Sequence, residues 1–218
     1  PILEKLQNEE VKKDRNIQIL VLAPTRELVI QIDEVFRAFT ENLKREIRTM
    51  AVYGGVSINP QMKGMFGVEI LVATPGRLLD LIEHKALSIS QITHLVIDEA
   101  DKMFQLGFEE EMNKLFAMMP SKKQTVFFSA TLNDKVEEIK KRLTINPVLV
   151  EIKAEEVNLD KITQLAYHVT EERKGPFLRY LIKEKNIKQA LVFTSSTRSA
   201  DNLAEKLKKN KIPATAVH

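Results

Sequence analysis

Asp98, Glu99 and Asp101 follow directly on the apolar run His94–Ile97, with only Ala100 among them. Carboxylates placed just past a buried strand sit at the rim where open α/β sheets take their ligands. There one carboxylate can hold a hydrated magnesium ion, and its neighbour can orient or deprotonate a water for attack on a phosphate. Such a cluster is equally at home in a solvated loop, so the reading needs partners. Three other segments supply them. Thr25-Arg26 lies between an apolar run and a helical pattern, a place where backbone N–H groups and the helix dipole favour an anion. Thr74, Gly76 and Arg77 repeat that arrangement, and each arginine adds a forked phosphate donor. Gly54-Gly55 lets backbone approach a ligand with no Cβ in the way. Ordinary turn chemistry also accounts for Pro24, Gly54 and Pro75, and Arg26 or Arg77 has a neighbouring carboxylate in Glu27 or Asp80.

The elements that must position these residues are legible as an alternation. Ile17–Ala23, Met50–Tyr53, Ile70–Thr74, His94–Asp98, Thr125–Ser129 and Val148–Ile152 are short, nearly continuous apolar runs. They predict strands buried on both faces, as in a parallel sheet. The segments Thr25–Leu43, Gly76–His84, Phe108–Met119 and Asn133–Leu143 carry apolar residues at helical spacing. Strand–helix alternation predicts an open, helix-flanked α/β domain over residues 1–152. Asn133-Asp134 offers a helix cap and Asn146-Pro147 a stop. Residues 153–161 are polar and charged without a period, and predict a linker. Over 162–218 a second alternation begins: strand Ile162–Thr170, helix Pro176–Lys185, strand Ala190–Ser195, helix Thr197–Asn210 and strand Ala214–His218. Phe193 is expected in the core of that segment. It is too short for a complete sheet domain.

Composition narrows the class. The 218 residues are 44% hydrophobic and 29% charged, with no cysteine, which rules out disulfides and thiolate metal sites in this chain. Four scattered histidines show no metal-ligand spacing. The methionines around residues 112–119 are expected to pack a helix. No apolar run is long enough to span a bilayer, and a cytoplasmic location is expected. Residues 161–218 hold 12 basic and 5 acidic side chains, a net +7, against 21 and 25, a net −4, for the rest. A basic second segment suits a polyanion and equally a solvated lysine-rich helix face.

Taken together and in order, these motifs resemble the DEAD-box family of ATP-dependent RNA helicases, in its bacterial form. The resemblance rests on Leu20–Leu28 (LVLAPTREL), Gly54-Gly55, Ala73–Arg77 (ATPGR), Val96–Asp101 (VIDEAD), Ser129–Thr131 (SAT) and Leu191–Ser196 (LVFTSS). It implies a RecA-like first lobe and the start of a second. It implies ATP and Mg²⁺, with Asp98 reaching the metal through water and Glu99 beside it as catalytic base. It implies that Pro24, Thr25, Arg26, Gly54, Gly55, Thr74, Pro75, Gly76 and Arg77 follow an RNA backbone without reading sequence. Thr194 and Arg198 would join from the second segment. Asp101, Ser129 and Thr131 would couple the ATP state to strand separation. A monomer is expected.

None of the seven glycines precedes the Lys-Ser/Thr of a phosphate-cradling loop. In the family that loop and an adenine-reading segment come before a helix like the one at residues 1–6, and the late arginine motifs follow the point where this sequence ends. The expectation is therefore an RNA-dependent ATPase and helicase whose 218-residue piece is by itself inactive and, with strand edges unpaired, prone to aggregate. A non-catalytic RNA-binding scaffold and a DNA translocase are the alternatives.

Overall fold

Five of the apolar runs become five parallel strands in the computed structural model, which describes residues 1–8, 16–131, 134–144, 146–152 and 163–218. They are β1 (Ile19–Leu22), β2 (Thr49–Val52), β3 (Ile70–Ala73), β4 (His94–Ile97) and β5 (Gln124–Phe127), in the spatial order β2-β3-β1-β4-β5. The interior strands β1 and β3 are apolar and buried throughout because both their faces are covered, while β4 opens on the half-buried His94. Side chains alternate across a strand, so one sequence feeds two cores. Leu20, Leu22, Leu71, Ala73, Leu95 and Ile97 point to one face, where they meet Leu78, Leu81, Met103, Met112 and Leu115. Ile19, Val21, Ile70 and Val72 point to the other and meet Leu6, Val29 and Ile47.

The helices of this unit are α1 (Ile2–Asn8), α2 (Arg26–Thr40), α3 (Ile58–Gly64), α4 (Pro75–Glu83), α5 (Ala100–Gln105), α6 (Glu109–Met118) and α7 (Asp134–Leu143). α1 is fastened by Arg45, which donates to the Leu6 carbonyl and forms a buried ion pair with Glu69 at the N-terminal end of the sheet. Helices α3 and α5 were not marked by the apolar pattern. Each is short, and each follows directly on a loop the motifs single out. Met112 and Met119 are buried, as packing required, whereas Met118 is 41% exposed.

Residues 1–150 form one compact unit and residues 151–218 another. Among the described residues of the second, two helices stand, α8 (Glu171–Glu184) and α9 (Thr197–Lys209). α8 starts five residues earlier than Pro176, which falls inside the helix. The strands expected over Ile162–Thr170, Ala190–Ser195 and Ala214–His218 are not formed in the described residues, and Ile162 lies outside them. Phe193 is 92% exposed, so its assignment to a core is corrected. The strand expected over Val148–Ile152 is also absent, and Val148 and Ile152 are almost fully exposed. The physical reason is shared. An apolar run states a preference for burial, but a strand exists only when a neighbour accepts its backbone hydrogen bonds, and among the described residues these segments pair with none. The expected linker over 153–161 and the capping residue Asn133 lie outside the described residues.

Candidate active site at the sheet rim

The register of the sheet decides what the loops can do together. Leu22 pairs with Ala73 and with Ile97, Ala73 with Val52, and Ile97 with Phe127. All five strands therefore end at one level, and the five following segments leave from one edge. At about 4.8 Å between neighbouring strands, those exits span roughly 19 Å. In spatial order they are Tyr53-Gly54-Gly55, Thr74–Arg77, Ala23–Arg26, Asp98–Asp101 and Phe128–Thr131. The glycine pair and both Thr/Arg corners occupy one half of the edge, the carboxylates and the Ser/Thr pair the other.

On the first half, Thr25 is the extended residue that caps α2, and its Oγ1 accepts from the Leu28 amide at 3.3 Å. Pro24 is buried beneath it. Thr74 precedes α4 in an extended conformation without a side-chain cap bond, and Pro75 takes the first helical position, where its missing N–H costs nothing. The Gly76 and Arg77 amides are thus first-turn donors with no capping side chain, at the positive end of the helix dipole. A Cβ at Gly76 would meet nothing within 4 Å, so the approach is open. Gly55 has φ +78°, a left-handed conformation that glycine adopts without penalty. Both Gly54 and Gly55 are exposed.

The two arginines differ. Arg26 is exposed, with its guanidinium carbon 5.0 Å from the centre of the Tyr53 ring. Arg77 is only 9% exposed; its Nη2 donates to the Val56 carbonyl at 2.8 Å, and its Nε lies 3.6 Å from Asp80 Oδ2. Its fork is therefore aimed at the glycine loop and Asp80, while Arg26 faces solvent.

On the second half, the Asp98 amide donates to the Leu22 carbonyl at 2.9 Å, which extends the β1–β4 ladder by one residue and fixes the carboxylate at the edge. Asp98 Oδ1 accepts from the Glu99 amide at 2.9 Å. Glu99 is left-handed, at φ 49° and ψ 48°, an uncommon conformation for a residue with a Cβ. It turns the chain sharply from β4 into α5. The Ala100 amide, donating to the Phe128 carbonyl at 3.1 Å, ties that turn to the exit of β5. Asp98 and Glu99 are half-buried. Glu99 Oε1 accepts from Lys102 Nζ at 2.6 Å, and this bond chiefly raises the Lys102 pKa above the ordinary lysine value.

Asp101 is only 5% exposed and accepts twice from Thr131, from Oγ1 at 2.7 Å and from the amide at 3.1 Å. Burial pushes its carboxyl up. Hydrogen bonds, chiefly those from Thr131, outweigh that and leave its pKa below the ordinary aspartate value. Ser129 Oγ donates to the Thr131 carbonyl at 2.7 Å. The acidic and Ser/Thr segments are thus one hydrogen-bonded unit.

Thr194 and Arg198 belong to the second unit. Thr194 Oγ1 donates to the Ser196 carbonyl at 3.1 Å, and Ser196 caps α9 by accepting from the Ser199 amide. Arg198 is exposed in the first turn of α9. Sequence reasoning passed over Tyr53, Gln61 and Lys102. Lys102 was marked only by its i,i+3 spacing from Glu99, and Tyr53 only by standing next to the glycine pair.

Among the described residues no three or more His, Asp or Glu side chains gather as a metal-ligand set. Asp98 nevertheless suits a hydrated divalent cation. It is a hard oxygen donor at the open edge, and only Oδ1 carries a hydrogen bond among the described residues.

The family model for the DEAD/DEAH box helicase matches residues 1–139. The DEAD-box ATP-dependent RNA helicase CshA of Streptococcus pneumoniae is 37% identical over the whole of this chain, which covers 41% of that protein. The ATP-dependent RNA helicase CshA of Listeria monocytogenes is 34% identical, again with 41% of its length covered. Eukaryotic initiation factor 4A of Caenorhabditis elegans is 35% identical, with 53% covered. The chain therefore spans about half or less of the length of these relatives.

Proposed function

The chain belongs to the DEAD/DEAH box helicase family, and from that premise we propose that the protein carrying it is an ATP-dependent RNA helicase. It binds RNA by its backbone, hydrolyses ATP when RNA is bound, and locally opens short duplexes. The observation that carries this reading is the common level at which the five strands end. That level sets two first-turn anion sites and a glycine loop beside a carboxylate pair on a single edge. An edge of this width holds a nucleic-acid chain on one half and a nucleotide triphosphate on the other.

Residues 1–152 serve as the first RecA-like lobe, 153–161 as the linker and 162–218 as the opening of the second lobe, in a cytoplasmic monomer. In the RNA half, the open amides of Gly76 and Arg77, the first turn of α2 and the exposed Arg26 guanidinium hold phosphates. Pro24, Thr25, Thr74 and Pro75 shape the two helix starts, Gly54 and Gly55 admit the backbone, and Thr194 and Arg198 add contacts from the second lobe. In the nucleotide half, Asp98 would hold magnesium through water, and the ion would supply charge neutralisation for the phosphates. The Glu99 carboxylate takes a proton from the attacking water as its oxygen bonds to the terminal phosphorus and the bridging P–O bond breaks. Lys102 holds that carboxylate in the resting arrangement. Asp101, Ser129 and Thr131 transmit the nucleotide state across the β4 and β5 exits.

RNA-stimulated ATP hydrolysis by the full-length protein is the direct test. Turnover that rises with single-stranded RNA and not with DNA of the same sequence is the expected result. RNA binding with no nucleotide turnover would favour the scaffold instead, and equal stimulation by DNA a translocase. The 218 residues contain no glycine-rich loop ending in Lys-Ser/Thr, so by themselves they are expected to show no ATP turnover above background.

A further inference from the structure

Tyr53 occupies a place that the roles given to its neighbours leave unexplained. Its ring is half-buried and packs against the core cluster that contains Val21, Ala23 and Val29. The Arg26 guanidinium lies 5.0 Å from the ring centre. Its carbonyl accepts from Gln61 Nε2 at 3.2 Å, and Gln61 is itself buried, with its Oε1 lacking a hydrogen-bond partner in the structure. Tyr53 is thus held by apolar packing and by a buried amide, while its ring carries the exposed arginine.

A long guanidinium side chain left free in solvent samples many rotamers, and fixing one of them on binding costs entropy. An aromatic ring of fixed position beneath a cation removes part of that cost before the ligand arrives. We infer that Tyr53 is a positioning residue for nucleic-acid phosphate: it holds Arg26 in its binding direction and links the exits of β1 and β2, two strands separated by β3. The inference rests on the proposed RNA half of the rim. It adds that Arg26 acts through a partner on a different loop, which no spacing in the sequence reveals.

A double-mutant cycle in the full-length protein tests it, read as the RNA concentration giving half-maximal ATP turnover. Tyr53→Leu is expected to raise that concentration about two- to fivefold, the size of an exposed cation–π contact, with maximal turnover nearly unchanged. Tyr53→Phe and Tyr53→Trp keep a ring under the guanidinium and are expected to restore it. In an Arg26→Ala background, Tyr53→Leu is expected to add nothing. A thermal melt of Tyr53→Leu that matches the unsubstituted protein guards against misfolding as the cause. Should the penalties of Tyr53→Leu and Arg26→Ala multiply while each remains significant, the inference is overturned and the rim reading stands. Should Arg26→Ala leave RNA dependence untouched, the RNA half of the rim is itself misplaced and the inference falls with it.

Discussion

Glu99 combines three features at one residue: a left-handed backbone, a half-buried carboxylate and a lysine 2.6 Å away. The conformation is uncommon for a residue with a Cβ, and it turns the chain from β4 into α5 within one residue, leaving the carboxylate at the edge. Glu99→Gln keeps the shape and removes the proposed base. It is expected to lower RNA-stimulated ATP turnover by roughly 10²- to 10⁴-fold while RNA binding, followed by fluorescence anisotropy, persists. Asp101 has the opposite character. It is buried, and Thr131 donates to it twice. Thr131→Val deletes one donor and leaves the carboxylate short of a partner, at about 1–3 kcal/mol. Urea unfolding should show a lower midpoint for the valine variant, and Thr131→Ser should recover it. If valine and serine variants unfold alike, the hydroxyl is not what secures Asp101.

At the scale of elements, α2 and α4, the two helices that open beside each other at the rim, are built differently. α2 spends its Thr25 hydroxyl on its own cap, whereas α4 has Pro75 and no side-chain cap at Thr74. Removing the cap by Thr25→Ala is expected to destabilise the chain by about 1 kcal/mol, measurable by chemical denaturation, with Thr25→Ser close to neutral. The same logic does not reach Thr74, which is buried without a cap bond, so Thr74→Val, which keeps its packing and deletes only the hydroxyl, should leave stability nearly unchanged. Comparing the two variants side by side isolates the cap, and equal losses would contradict the geometry. Strands β1 and β3 are apolar at every position because each is covered on both faces. β5 is graded from exposed to half-buried, as expected of a strand paired on one side.

For the molecule as a whole, the described residues leave a pronounced apolar exposure. Val148, Leu149, Val150, Ile152, Leu191, Phe193 and Val217 are all largely exposed. Apolar, β-prone segments without a partner strand are templates for pairing with other chains. The 218-residue chain is therefore expected to self-associate on warming, followed by light scattering. Charged substitutions at two of these positions, Val148→Lys and Val150→Lys, should delay the onset without moving the urea midpoint of the first unit. Scattering that is independent of them would place the sticky surface elsewhere.

The five strands of the sheet, the longer helices around them and the carboxylates past the fourth apolar run could be read from the residues alone, because burial on two faces writes itself as an apolar run. The order of those strands could not. The run at Ile19–Leu22 comes first in sequence yet lies in the middle of the sheet, and only pairing places the glycine pair and the acidic turn on one edge. Phe193 and Val148–Ile152 show the converse: their composition asks for a strand, and among the described residues no backbone partner answers. Tyr53 beneath Arg26 and Arg77 turned toward Val56 are contacts between loops distant in sequence. Local spacing carries no record of them, since side-chain direction is settled by packing after the chain has folded.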